Sequence, residues 1–154
     1  MMYFQGFTCW LTEQAEKLLI KYGTWPWGGY SEGYPAWILY KGSKPIVAIS
    51  NDTKDKNNVV IRHIESKEKG RAAKFIMNLL DAGVTISTGK ANYNSISTAA
   101  YYMNKKVIKL IDAKPDKYGY KILGKADNRG KEDDEAHIEI KGKPDINHYK
   151  FFKK

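Results

Sequence analysis

The chain has 154 residues, 42% of them apolar and 13% aromatic, which excludes a disordered polymer and fits one folded domain with a proper core. Twenty-six Lys and Arg against 17 Asp and Glu leave a formal charge of +9, enough to attract polyanions such as coenzyme A, RNA or DNA without specifying one. A single cysteine, Cys9, excludes an internal disulfide framework and a cysteine-based zinc cluster.

No apolar run approaches the roughly 20 residues of a membrane helix, and the N-terminus lacks the basic-then-apolar layout of a signal peptide, so the expectation is a soluble, cytoplasmic protein. Tyr3-Phe4-Gln5-Gly6 looks like the tail of a protease-tag site without the residues that precede one; it is read as native, with a strand after it. Thr12 and Glu13 suit a helix start, Ala15, Leu18, Leu19 and Tyr22 continue the spacing, and Gly23 ends it, which predicts a first helix. The segment 24–35, TWPWGGYSEGYP, joins aromatic residues to turn formers. Trp25, Trp27, Tyr30 and Tyr34 either fold back as a plug on the core edge or line an acceptor pocket with apolar walls and polar tips.

Residues 36–40 and 45–50, AWILY and PIVAIS, read as a hairpin turning at Lys41-Gly42-Ser43-Lys44, and the polar stretch 51–58 leads into a third strand. In that strand the β-branched run Val59-Val60-Ile61 continues through Arg62 and Ile64, and period-two alternation sets His63 and Glu65 on one face. Helical spacing takes over at Ala72, Phe75/Ile76 and Leu79/Leu80. Between strand and helix lies Lys67-Glu68-Lys69-Gly70-Arg71-Ala72. A basic, Gly-containing turn at a helix start offers unpaired backbone N–H groups and the positive end of the helix dipole, which suits a phosphate or pyrophosphate.

After Gly83, residues 84–88 alternate as a strand, so a right-handed crossover with parallel pairing is expected. A second long helix is predicted from Ser95, capped by Asn94 and carrying Ile96, Ala100, Met103, Val107 and Leu110, until Ala113 and the breaker Pro115. Residues 120–126 and 136–141 then form a final hairpin, and the aromatic tail with Tyr149, Phe151 and Phe152 docks. His137 and His148 have no metal-ligand spacing, so no metal is expected, and no Walker loop, Rossmann glycine pattern or nucleophile elbow is present.

The turn Lys67-x-x-Gly70-x-Ala72 resembles the acyl-coenzyme A loop of the GNAT N-acetyltransferases, whose pattern is Arg/Gln-x-x-Gly-x-Gly/Ala, with Lys in place of Arg or Gln here. The predicted order of strand, helix, three strands, basic turn and helix, strand, helix and two strands is similar to that fold over most of the chain. Asn94 and Gly119-Tyr120 look like the family's marks at the start of its second long helix and of the next strand, although this helix is longer by a turn or more. The resemblance implies a single α+β domain in three layers, with a mixed, mostly antiparallel sheet of about six to seven strands, a central parallel pair and flanking helices. It implies acetyl-coenzyme A as cosubstrate, held by Ile64, Lys67, Lys69, Gly70, Arg71, Ala72 and Asn94, and an amine acceptor against the aromatic segment. Tyr101 and Tyr102 are then candidates for the acid that receives the thiolate, or plain helix packing. His63 and Glu65 are candidates for the base, or ordinary sheet residues; Glu65, nearer the basic turn, is preferred. The alternative is an inactive scaffold of the same fold that binds other molecules, with only salt-sensitive, sequence-blind affinity for nucleic acid.

Overall fold

The computed structural model describes residues 2–5, 8–13, 16–90, 96–126 and 145–154. Among them nine strands form one sheet: β1 (Met2–Gln5), β2 (Thr8–Glu13), β3 (Glu16–Thr24), β4 (Pro35–Lys41), β5 (Lys44–Asn51), β6 (Asn58–Ser66), β7 (Thr85–Ser87), β8 (Tyr118–Lys125) and β9 (Asn147–Lys153). The spatial order is β1-β2-β3-β4-β5-β6-β7-β9-β8, and β6 with β7 is the parallel pair among antiparallel neighbours. Two helices, α1 (Arg71–Asp81) and α2 (Thr98–Asp112), make this a mixed α+β fold with a mostly antiparallel sheet.

The predicted first helix is instead the β2–β3 hairpin. Leu18 and Leu19 fit a helical stripe with Ala15 and Tyr22, but Leu18 and Ile20 are buried while Lys17 and Lys21 are exposed, the period-two pattern of a strand. β3 pairs with β4 from Leu18↔Lys41 to Thr24↔Pro35, and this cross-strand burial overrides the local helical spacing.

One sheet face, with Trp37, Leu39, Val47 and Ile49, shares a core with Phe75, Ile76, Leu79 and Leu80 of α1 and Val107 and Ile111 of α2. The opposite face, with Ala36, Ile38 and Ala48, is covered by Trp25 and Trp27. Among the described residues the third layer is therefore the aromatic loop between β3 and β4, not a helix. Ser31 and Ser50 close it with a buried hydroxyl pair at 2.8 Å.

The tail docks as expected, but as strand β9 between β7 and β8, with Phe151 fully buried. β8 is thus partnered by β9; the expected partner, 136–141, lies outside the described residues, as do His137 and Asn94. α2 opens at Thr98, with the Ser97 hydroxyl accepting the Ala100 N–H at 3.1 Å.

Candidate functional site

β6 pairs with β5 as far as Ser66 but with β7 only over Asn58–Val60. β7 stays with β9: the Thr88 N–H donates to the Tyr149 carbonyl at 2.8 Å, and the Tyr149 N–H donates to Thr88 Oγ1 at 2.9 Å. Beyond Val60 the parallel strands therefore part. A cleft of about 640 Å³ opens between Ile61, Arg62, His63 and Ile64 of β6 on one side and Thr88, His148 and the start of α2 on the other. Ser66, Ala72 and Tyr30 also line it.

A β-bulge marks the parting point. Asn51 pairs with Ile61 and Ser50 with His63, which makes Arg62 the extra residue. The bulge turns Ile61 and Ile64 into the same core. Arg62 and His63 both approach the Tyr30 ring, at 4.0 and 6.4 Å from its centroid.

After β6, Gly70 is the N-cap of α1 with φ 82°, a left-handed conformation that favours glycine, and it offers no side-chain cap. No acidic residue sits in the first helical turn. The Arg71 N–H turns back to the Glu68 carbonyl at 3.4 Å, and the helix dipole still favours an anion beside Ala72. A Cβ on Gly70 would lie 4.0 Å from Lys106 Nζ, so α2 brings a cation to this turn that the sequence pattern did not reveal. The motif's own cations are mostly directed elsewhere. Arg71 Nε donates to Glu68 Oε1 at 3.1 Å, and Lys41 Nζ donates to the other oxygen at 3.3 Å. Lys67 Nζ lies 2.5 Å from Glu65 Oε2 and 4.8 Å from the Trp27 ring, while Lys69 is exposed.

His63 and Glu65 share a face, as alternation predicts, with His63 Nε2 3.6 Å from Glu65 Oε1. Lys67 hydrogen-bonds the Glu65 carboxylate and, against a burial effect that opposes it, holds its pKa below the ordinary carboxylate value. Of this pair His63 lines the cleft and Glu65 does not. Trp25 is buried as a plug, with its ring 5.4 Å from that of His63, whereas Tyr30 lines the cleft. Tyr34 packs 4.1 Å from the Arg62 guanidinium.

Tyr101 and Tyr102 are not among the lining residues. The Tyr101 hydroxyl donates to Asp145 Oδ1 at 2.9 Å, and burial followed by that carboxylate raises its pKa. Tyr102 is 48% exposed and packs edge-on against Tyr101.

Comparison with known proteins returned no match, whether to a family model, a curated protein or a solved structure.

Among the described residues no group of three His, Cys, Asp or Glu side chains is placed to hold a metal, and no helix is long and apolar enough to cross a membrane. Sequence reasoning missed His148 and Thr88 as cleft walls, because β9 reaches β7 from 60 residues along the chain. The fold explains the glycine beside it: a Cβ on Gly89 would meet the His148 ring at 2.5 Å, so that glycine admits the buried imidazole.

Proposed function

We propose that this chain is an acyl-coenzyme A-dependent N-acetyltransferase of GNAT type. The observation that carries the reading is the cleft that begins where β6 leaves β7 after Val60 and runs to the uncapped N-terminus of α1. It joins the two things an acyl-coenzyme A needs: a strand edge whose backbone has lost its neighbour, and an anion site at a helix start. Ala72, Ala99 and Ala100 on the walls leave room for a slender chain.

Acetyl-coenzyme A supplies the activated acyl group. Gly70, Ala72 and the first turn of α1 hold its pyrophosphate, with Lys106 adding charge, and the free edge of β6 around Ile64 donates N–H to the rest. His63, in the cleft wall, takes the proton of the acceptor ammonium. Glu65 beside it stabilises the imidazolium, while Lys67 keeps Glu65 ionised. Neither Tyr101 nor Tyr102 faces the cleft as an acid. A thiol has a pKa of about 8.5, so water suffices to protonate the thiolate near neutrality.

The absence of both tyrosines from the cleft lining also favours a second reading, a scaffold that binds an acyl-coenzyme A without transferring the acyl group. Thermal denaturation with added acetyl-coenzyme A tests the first step common to both: ligand at 100 times its dissociation constant adds about 2.7 kcal/mol of stability. An unchanged melting temperature at millimolar ligand contradicts both. Thiol release on addition of an amine separates them.

A further inference from the structure

Arg62 has no part in binding or activating the thioester in the reading above, yet it is the most deliberately held side chain in the cleft. It is the bulge residue, just past Val60, where β6 and β7 part. Its guanidinium carbon lies 4.0 Å from the centroid of the Tyr30 ring and 4.1 Å from that of Tyr34. Both rings thus hold the guanidinium at cation–π distance, which fixes its position and leaves its N–H groups as the donors to account for.

Those donors are lightly used. One donates to the Tyr30 carbonyl at 3.4 Å, and another lies 3.9 Å from Asp52 Oδ1, a carboxylate that sits closer to Lys90, at 3.0 Å. Arg62 Nε is buried with no hydrogen-bond partner among the described residues. With Nε closed off, an incoming carboxylate would meet the terminal nitrogens of the guanidinium, a fork that matches its two oxygens. Of the described residues that line the cleft, Arg62 carries the only permanent charge; Asp52, its ion-pair partner at 3.9 Å, is not among them.

Resting on the acyl-transfer reading, we propose that the acceptor end of the cleft selects a small primary amine that also bears a carboxylate, with Arg62 holding the carboxylate and the neighbouring His63 receiving the amine proton. In the transfer the ammonium first gives one proton to His63, the freed amine nitrogen bonds to the acyl carbon, the carbon–sulfur bond breaks with the electron pair going to sulfur, and the second nitrogen proton passes through water to the thiolate. A polyamine or a lysine-rich peptide meets Arg62 and a chain of charge +9, and is repelled.

The test uses the full chain with acetyl-coenzyme A and matched acceptors: leucine against leucinamide, 4-aminobutyrate against butylamine, and spermidine. Thiol release measures turnover, and calorimetry measures binding of N-acetylleucine and N-acetylleucinamide. The expected result is a preference for at least one carboxylate over its uncharged counterpart. Arg62→Gln then raises that acceptor's KM, or the dissociation constant of N-acetylleucine, by roughly 10- to 100-fold with acetyl-coenzyme A affinity unchanged. Arg62→Lys recovers part of the loss. Equal use of charged and uncharged partners, or best use of spermidine, overturns the proposal; so does an Arg62→Gln chain that loses acetyl-coenzyme A affinity while folded. Should Arg62→Gln fail to fold, the matched pairs on the wild-type chain decide alone. N-acetylleucine binding that depends on Arg62 in a chain that binds no acetyl-coenzyme A upholds the carboxylate site and overturns acyl transfer.

Discussion

At the scale of single residues the proposed chemistry turns on His63, Glu65 and Lys67. If His63 is the base and Glu65 supports it, His63→Ala lowers turnover by about 100-fold or more, and Glu65→Gln lowers it less, both with acetyl-coenzyme A affinity intact. Equal rates in both variants and wild type would return the pair to the sheet as packing. Lys67→Gln removes the largest cause of the depressed Glu65 pKa, so the carboxyl titration followed by NMR moves upward. Because that pKa is lowered in the folded chain, the contact stabilises the fold above the ordinary carboxylate range, and the contribution is lost as pH falls through the lowered value. A Glu65 titration indifferent to Lys67 would contradict the assignment. The shared face of His63 and Glu65 was legible because strand periodicity is a local property. The direction of Lys67 was not, because Trp27 and Glu65, which draw it away from the cleft, meet it only once the aromatic loop folds onto the sheet.

At the scale of elements the N-terminal hairpin is the clearest difference between sequence and structure. Leu18 is 2% exposed and Leu19 is only half-buried, a contrast that a helix with both on its inner stripe would not produce. Leu18→Ala should therefore cost about 2–5 kcal/mol and Leu19→Ala clearly less, measured by urea denaturation. Equal costs would support a helix here. β5, β6 and α1 were legible, since each carries its own period and its own turn. β3 was ambiguous, because four apolar residues in eight positions fit both periods and only pairing with β4 chooses between them. The docked tail was legible as apolar and aromatic, but its place between β7 and β8 is a long-range choice.

At the scale of the whole molecule, the order of three antiparallel strands, basic turn, helix, parallel strand and helix could be read from the chain, and the crossover followed from handedness. The cleft could not, because it is made by a strand ending early: β7 pairs with β6 for three residues and then follows β9. The central claim is that this opening and the N-terminus of α1 together hold an acyl-coenzyme A. Gly70 is the position that tests it. A glutamate there meets a φ of 82°, which costs about 1–2 kcal/mol of stability, and it places a carboxylate where the pyrophosphate is proposed to sit. Calorimetric titration of acetyl-coenzyme A into the wild-type chain and into a folded Gly70→Glu chain is the measurement. Saturable one-to-one binding by wild type, lost in the variant, is the predicted result; no binding by wild type, or equal affinity in both, would contradict the account.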